Sequence, residues 1–138
     1  MNTAIRYYSK FGHSAQMAEA IAEVTGAKAL TVSEPLSGPV DILFLGAGVF
    51  LGKVNSAVDE FVKTLNPADV KCVVCFGSSA IVDSPVPMLR KMLEARGVAV
   101  APVSFSCKGS MGPIKAGHPD AKDLEDLRAF VRGIIASQ

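Results

Sequence analysis

The sequence predicts an α/β fold with a mostly parallel sheet, in the element order β-α-β-β-α-β-α-β-α. Short apolar runs of strand length alternate with segments whose apolar residues recur at the period of a helix. In addition, residues 40–46 are apolar at nearly every position, as expected for a central strand that helices cover on both faces. We therefore expect a single domain, residues 1–138, with helices on both sides of the sheet.

The first half of the chain contains three predicted strands, at residues 4–8, 29–32 and 40–46. The helix after the first strand has Met17, Ala18 and Ile21 at helical spacing, and it ends at Gly26, a frequent residue after a helix C-terminus. Residues 33–39 contain two prolines and one glycine. This composition predicts a loop rather than a helix between the second and third strands.

The second half of the chain alternates helices with two further strands, predicted at residues 70–76 and 98–105. Apolar residues at helical spacing mark the three helices. These sets are Val58, Phe61, Val62 and Leu65; Val86, Leu89, Met92 and Leu93; and Leu124, Leu127, Phe130, Val131, Ile134 and Ile135. The loops that follow strands three, four and five are therefore predicted at residues 47–53, 77–83 and 107–117.

Composition and charge exclude several classes of function. The 138 residues are 49% hydrophobic and 20% charged, and the net charge is +1, from 14 basic and 13 acidic residues. No apolar run approaches the ~20 residues of a membrane span, and no basic patch indicates nucleic-acid binding, so the expected partner is a small molecule. A strand begins almost at the first residue, which leaves no room for a signal peptide, and the expected location is cytoplasmic.

The three cysteines, Cys72, Cys75 and Cys107, predict neither a disulfide framework nor a metal site. Cys72 and Cys75 have the spacing of a CxxC motif, but they lie in an apolar run that predicts a strand. Residues three apart on a strand point to opposite faces, so we expect buried structural thiols. His13 and His118 do not complete a zinc site with them, and no metal is predicted.

The loop after the first strand has the residues of a phosphate-binding turn. Ser9 and Ser14 supply hydroxyl groups, and Gly12 lets successive backbone N–H groups converge on an anion directly before a helix N-terminus. The same residue types also occur in ordinary turns and helix caps, so this loop alone leaves both interpretations open. In a parallel sheet, ligands bind beyond the carboxyl ends of the strands, where the loops after strands one, three and four meet.

Together these loops resemble those of the short-chain flavodoxins, and the resemblance covers nearly the whole chain. The family's phosphate loop reads Ser/Thr-x-Thr-Gly-Asn-Thr, and Ser9-Lys10-Phe11-Gly12-His13-Ser14 retains its first hydroxyl, its glycine and its last hydroxyl. Phe11 replaces a hydroxyl of that pattern and His13 replaces an amide. Phe50 falls on a ring-stacking position, and Phe105-Ser106-Cys107-Lys108-Gly109 and Gly117-His118-Pro119 resemble a subgroup of small flavodoxin-like proteins.

The resemblance implies a flavodoxin-like three-layer sandwich with a five-stranded parallel sheet in the order 2-1-3-4-5, and it implies FMN as the cofactor. The FMN phosphate is expected in the first loop, and the ring is expected between the loops after strands three and four. That last loop lacks the tyrosine that many flavodoxins place over the outer ring face, which leaves this face open. The implied cofactor-binding residues are Ser9, Lys10, Phe11, Gly12, His13, Ser14, Ala47, Gly48, Val49, Phe50, Leu51, Gly52, Gly77, Ser78, Ser79 and Ala80.

The function implied by the resemblance is electron transfer between redox protein partners that the sequence does not identify. We expect no catalytic residues, and we expect a monomer or a weak dimer. Two alternatives remain open. One is a small FMN-dependent oxidoreductase whose open ring face accepts a quinone-type acceptor. The other is a flavodoxin-fold binding module that has lost its flavin. Three features support it, namely Phe11, His13 and the missing tyrosine.

Overall fold

The computed structural model describes residues 1–10, 12–49, 53–79, 84–108 and 119–138. Within these residues, the strands are β1 (Thr3–Tyr7), β2 (Ala29–Thr31), β3 (Ile42–Val49), β4 (Val73–Ser79) and β5 (Val100–Lys108). The helices are α1 (His13–Thr25), α2 (Ser56–Lys63), α3 (Val86–Arg96) and α4 (Ala121–Ala136). All neighbouring strands are parallel, and the sheet order is β2-β1-β3-β4-β5. The predicted fold class, element order and strand order are confirmed.

The helices cover the two faces of the sheet in pairs. On one face, α2 and α3 pack against the sheet in an apolar cluster that joins Phe61 of α2 to Leu45 of β3. On the other face, α1 and α4 pack in a second cluster that joins Leu127 of α4 to Phe44 of β3. Phe44 and Leu45 are adjacent in sequence but lie in different clusters, because successive side chains of a strand point to opposite faces. Within the described part of the chain, none of the helices has the length and apolar character that crossing a membrane requires.

Strands β3 and β4 begin and end later in the chain than the sequence predicts. They begin at Ile42 and Val73, after an isolated bridge, and each ends three residues further on. The additional register pairs are Ala47↔Gly77, Gly48↔Ser78 and Val49↔Ser79. Glycine and serine have low strand propensity, but pairing with a neighbouring strand satisfies their backbone groups. The prediction of loops beginning at residues 47 and 77 is therefore wrong, because tertiary pairing outweighs local propensity.

Strand β5 lies at the edge of the sheet and is irregular. Its register against β4 shifts between Val73 and Cys75, opposite the stretch of β5 that contains the exposed Pro102. Proline has no N–H to donate and is tolerated in an edge strand. Pairing with Ser78 and Ser79 of β4 extends β5 to Lys108, beyond the predicted end at residue 105.

Strand β1 carries a buried cation that sequence reasoning did not single out. Arg6 is only 6% exposed. Its guanidinium donates hydrogen bonds to the backbone carbonyl oxygens of Glu34 (Nε, 2.8 Å), Pro35 (Nη2, 2.9 Å) and Ile5 (Nη1, 2.9 Å). These bonds replace the water that the cation loses on burial, although burial still lowers the pKa of Arg6. Arg6 thereby fastens the link between β2 and β3, residues 32–41, to the sheet.

Helix α4 begins with a complete capping box. The Asp120 carboxylate accepts a hydrogen bond from the backbone N–H of Asp123 at 2.8 Å, and the Asp123 carboxylate accepts one from the N–H of Asp120 at 2.9 Å. Asp120→Ala is expected to lower the free energy of unfolding by about 1 kcal/mol, because a helix N–H loses its acceptor and the helix dipole loses a favourable charge. Urea denaturation measures this loss.

A matched control for that variant lies on the same helix. Asp126 forms an exposed ion pair with Lys122 at 2.9 Å, four residues away. Exposed pairs of this kind contribute little, so Asp126→Ala is expected to change the free energy of unfolding by less than about 0.5 kcal/mol. Equal losses in the two variants would contradict the capping role of Asp120.

Candidate functional site

The carboxyl ends of β1, β3 and β4 meet at one edge of the sheet. Tyr7, the last residue of β1, pairs with Gly46 of β3, which in turn pairs with Phe76 of β4. Beyond this level β3 and β4 continue side by side, so that Gly48 and Ser78 are neighbours just past the end of β1. The chain leaves β1 for α1 at the same edge. The structure therefore brings the first predicted loop together with the small residues at the ends of β3 and β4.

The Ser9 hydroxyl indicates that a ligand binds at this edge. Its Oγ atom is buried, and no described residue provides it with a hydrogen-bond partner. Leaving a buried polar group unsatisfied costs about 1–3 kcal/mol, so folded proteins retain few such groups without a reason. A phosphate oxygen would supply the missing acceptor. Ser9 therefore fits the role that the sequence analysis assigns to it.

The N-terminus of α1 follows this loop directly and suits an anion. Its N-cap residue is Gly12, whose φ of 88° lies in the left-handed region that favours glycine, and which has no side chain to cap the helix. The first N–H groups of a helix have no partner within the helix, and the helix dipole favours a negative charge there. Ser14, in the first turn, is 2% exposed. These features fit a bound phosphate group.

The two basic residues of the first loop differ in exposure. Lys10 is exposed, whereas His13, the first residue of α1, is half-buried. Burial lowers the pKa of His13, because the charged imidazolium loses hydration. Its ring is therefore mostly neutral at neutral pH. The positive charge at this loop thus includes the Lys10 ammonium group but not an imidazolium.

Gly77 is required by packing, whatever ligand the site holds. A Cβ atom at this position would overlap the backbone oxygen of Ala47 and the Cγ atom of Pro85. At Gly48 the same atom would lie at an ordinary 3.6 Å from the backbone oxygen and the Oγ atom of Ser78. Ser78 is itself 4% exposed. The structure thus places four predicted site residues on adjacent strands, Ala47 and Gly48 on β3 and Gly77 and Ser78 on β4. Their contact with a ligand remains a prediction.

Several predicted site residues lie outside the part of the chain that the structure describes. They are Phe11, Phe50, Leu51, Gly52 and Ala80, together with the side chains of Val49 and Ser79. The ring-stacking role of Phe50 therefore remains a prediction, as do the consequences of Phe11 in the phosphate loop.

A cavity of about 770 Å³ adjoins the first loop, and no pattern in the sequence predicts it. Ser9 and Gly12 line it, and so do Ala57 and Phe61 of α2 and Thr64, the residue that follows this helix. Ala57, Phe61 and Thr64 recur at i, i+4 and i+7, which is the spacing of one common helix surface. Nothing in the sequence indicates that the surface faces an open space rather than the core.

The cysteines lie partly as predicted. Cys75 is buried among the residues that pack with α2 and α3, whereas Cys72 packs on the opposite face. Cys72 and Cys107 are only half-buried, so the expectation of a buried thiol is wrong for Cys72. Cys72 precedes β4, and Cys107 lies on the edge strand. Within the described residues, no three His, Cys, Asp or Glu side chains are grouped so that they could hold a metal ion.

Two of these thiols are expected to react slowly in the folded protein. Burial raises the pKa of Cys75 to about 12, and burial together with the charge of nearby carboxylates raises that of Cys107 to about 12. Since the thiolate is the reactive form, we expect alkylation by iodoacetamide at about pH 8 to be at least about 100-fold slower than for a free cysteine. Mass spectrometry of timed samples, with and without urea, measures the rates. Rapid labelling of Cys75 without urea would contradict the prediction.

Comparison with known proteins agrees with this topology. Residues 4–98 match a protein family described as the flavodoxin domain. A flavodoxin from the domain Archaea superposes with a TM-score of 0.80 and 17% identity, covering 99% of this chain and 98% of that one. Oxidised flavodoxin 2 from Bacillus cereus superposes with a TM-score of 0.77 and 17% identity over 100% of both chains.

A flavoprotein from Lactobacillus acidophilus, solved in complex with FMN, is also similar. Its TM-score is 0.61 and its identity 16%, covering 78% of this chain and 92% of that one. At these identities the likeness shows the fold. A sequence comparison with curated proteins finds no match.

Proposed function

Since residues 4–98, more than half of this chain, match the flavodoxin domain, the chain belongs to that family, and we propose that it binds FMN and carries electrons between redox proteins. The observation that carries the proposal is the buried Oγ atom of Ser9, which has no hydrogen-bond partner among the described residues. Ser9 opens the loop before α1, where the family resemblance expects the phosphate of FMN.

The first loop would hold the phosphate group of FMN. Ser9 Oγ donates a hydrogen bond to a phosphate oxygen, which removes the cost of burying the hydroxyl unsatisfied. The backbone N–H groups that follow Gly12 and the dipole of α1 favour the negative charge. Lys10 adds a positive charge from the surface, and His13 is the half-buried first residue of α1.

The ends of β3 and β4 would support the ring system. Gly48 leaves space above the paired strands, because even a Cβ atom there would remain at 3.6 Å from Ser78. Small residues at this point let a flat ring approach the backbone, and Phe50, next along the sequence, has the stacking position that the family resemblance implies. When bound, FMN supplies the redox chemistry, and the residues of this chain bind it, orient it and shield it from water.

We propose that the chain acts as a single domain over residues 1–138, in the cytoplasm, as a monomer or a weak dimer. Its partners would be redox proteins that dock over the open face of the ring. With a net charge of +1, long-range attraction contributes little to their approach. We expect the association rate with a partner to depend only weakly on ionic strength.

The visible spectrum of the purified protein, before and after addition of FMN, tests the proposal. We expect flavin bands near ~370 and ~450 nm that stay with the protein through gel filtration, and quenching of the fluorescence of added FMN. A colourless protein that leaves FMN fluorescence unchanged would overturn it. Rapid turnover of NAD(P)H with a quinone by the isolated flavin-bound protein would instead identify an oxidoreductase.

A further inference from the structure

A second cavity, of about 510 Å³, lies at the amino ends of β1 and β2. It is lined by residues at the start of β1, by residues 25–28 between α1 and β2, and by part of the link between β2 and β3 that leads to the start of β3. The loop before α1 follows the carboxyl end of β1, at the other edge of the sheet. The two cavities have no described lining residue in common. This second cavity is therefore separate from the site proposed for the phosphate of FMN.

Arg6 gives this cavity a buried positive charge. It lines the cavity and is 6% exposed. Its three hydrogen bonds go to backbone carbonyl oxygens, which carry only partial negative charges, and no carboxylate of the described residues forms an ion pair with it. Buried charges in folded proteins are usually paired with an opposite charge. A guanidinium has more N–H donors than these three bonds use, so Arg6 can bind a further acceptor.

The rest of the lining adds positive rather than negative charge. Lys28 is exposed and lines the cavity, and no aspartate or glutamate is found among the described lining residues. The C-terminus of α1 reaches the cavity at Thr25. The negative end of a helix dipole amounts to about half an elementary charge, which is less than the charge of either cation. The lining therefore has a net positive charge.

The carboxylates closest in the chain to this cavity are already occupied or exposed. Asp41 accepts a hydrogen bond from the backbone N–H of Asn2 at 2.7 Å and forms an ion pair with Lys71 at 3.1 Å. Burial lowers the pKa of Arg6, and the charge of Glu34 only partly offsets this effect. Glu34 is exposed, so solvent screens its charge. Neither residue lines the cavity.

Part of the lining is apolar. Leu30, Leu36 and Val40 contribute to it and are half-buried, and Leu36 and Val40 pack on the apolar cluster beneath α2 and α3. The volume of about 510 Å³ falls in the range of small-molecule sites, about 300–1,000 Å³. The cavity thus offers two cations for a charged group and apolar surface for a short chain.

From this arrangement we propose that the cavity binds a small organic anion, with one carboxylate or phosphate group and a short apolar chain. The anionic group binds to Arg6 and Lys28, and the chain contacts Leu30, Leu36 and Val40. Carboxylates and phosphate monoesters share this chemistry. The site lies apart from the loop before α1 and does not depend on the proposed binding of FMN.

Nuclear magnetic resonance of the isotope-labelled full-length protein tests the proposal residue by residue. Butyrate and butyl phosphate represent the two classes of anion, and butanol has the same chain without a charge. At low ionic strength, we expect saturable shifts of the backbone amide signals of Gly26, Lys28 and Ser37, which line the cavity. The dissociation constant is expected to be about 1 mM or below for at least one anion and at least about tenfold higher for butanol. The anion that binds more tightly identifies the class of the charged group.

Two serine variants form a matched pair. Ser37 is exposed and lines the cavity, so Ser37→Glu places a carboxylate beside the two cations and is expected to weaken anion binding at least about tenfold. Ser56 is exposed at the start of α2 and does not line the cavity. Ser56→Glu changes the net charge equally and is expected to change anion affinity by less than about twofold.

Arg6→Gln removes the buried cation itself, and the saturable shifts are expected to disappear. Circular dichroism checks that each variant folds. If Arg6→Gln does not fold because the link is released, Ser37→Glu and its control decide the question, since both positions are exposed.

The proposal would be overturned by the absence of saturable shifts at the cavity signals, or by equal affinity for butanol and both anions. It would also be overturned by equal anion affinity in the two serine variants, or by unchanged affinity in a folded Arg6→Gln variant. Shifts confined to Gly12 and Ser14 would place anion binding in the loop before α1 alone. If the cavity signals shift but the protein binds no FMN, only the proposed function is contradicted.

Discussion

Gly77→Ala is expected to lower the free energy of unfolding by about 3 kcal/mol, the largest stability effect predicted for this chain. The added methyl group would overlap the backbone oxygen of Ala47 in β3 and the Cγ atom of Pro85 before α3. Neither atom moves easily, because one belongs to a paired strand and the other to a rigid ring. Relief would require β3, β4 or the start of α3 to shift. Urea or thermal denaturation, followed by circular dichroism, measures the loss.

Gly133→Ala is the matched control. Gly133 lies within α4, and a Cβ atom there would meet no other atom within 4 Å. Alanine restricts the unfolded chain and favours the helix, so this variant is expected to raise the free energy of unfolding by about 0.5–1 kcal/mol. The same substitution thus has opposite signs at the two sites. A loss below about 1 kcal/mol at Gly77 would show that β3 and β4 can separate at the site more freely than their packing indicates.

Ser9→Ala is expected to raise the dissociation constant for FMN by about 10- to 100-fold, because the charged phosphate loses the hydrogen bond that the Ser9 hydroxyl donates. The same variant is expected to leave the stability of the flavin-free protein unchanged or to raise it by up to about 1 kcal/mol. In the wild-type chain the Ser9 hydroxyl is buried and has no partner among the described residues, so removing it takes away a desolvation cost. Fluorescence titration and urea denaturation measure the two effects.

Riboflavin and Ser33→Ala provide the controls for that experiment. Riboflavin has the same ring but no phosphate, so Ser9→Ala is expected to change its affinity by less than about twofold. Ser33 is an exposed serine that pairs with Thr31 and lies outside the first loop. Ser33→Ala is expected to bind FMN as the wild type does. If Ser9→Ala weakened the binding of FMN and of riboflavin equally, this would contradict a phosphate contact. It would indicate that Ser9 contacts the ring or the sugar chain instead.

Local pattern was sufficient to predict the elements and their order. Val58 and Phe61 on α2, and Leu127 and Val131 on α4, recur at helical spacing, and burial of these apolar residues keeps each helix on the sheet. The strand order followed from the family resemblance rather than from periodicity. Strand ends were predicted least well, because the strand character of Gly48 and Ser78 depends on the neighbouring strand and not on their own propensity.

The candidate site, too, could be predicted only in part from the sequence. The sequence predicts the phosphate loop from Ser9, Gly12 and Ser14, since hydroxyl groups and a glycine before a helix have a direct chemical meaning. It does not predict that the Ser9 hydroxyl is buried without a partner, because burial is a property of the surrounding chain. It also gives no sign of the cavity between α1 and α2, which forms from segments distant in sequence.

By itself, then, the sequence determined the alternation of strands and helices, the two apolar faces and the chemistry of the loop before α1. These are local properties, set by spacing and residue type. Only the tertiary structure decided where β3 and β4 end, why position 77 must be glycine, and that Arg6 is buried beneath the link it holds. Those features depend on which atoms meet across the sheet, and such contacts exist only once distant segments have packed together.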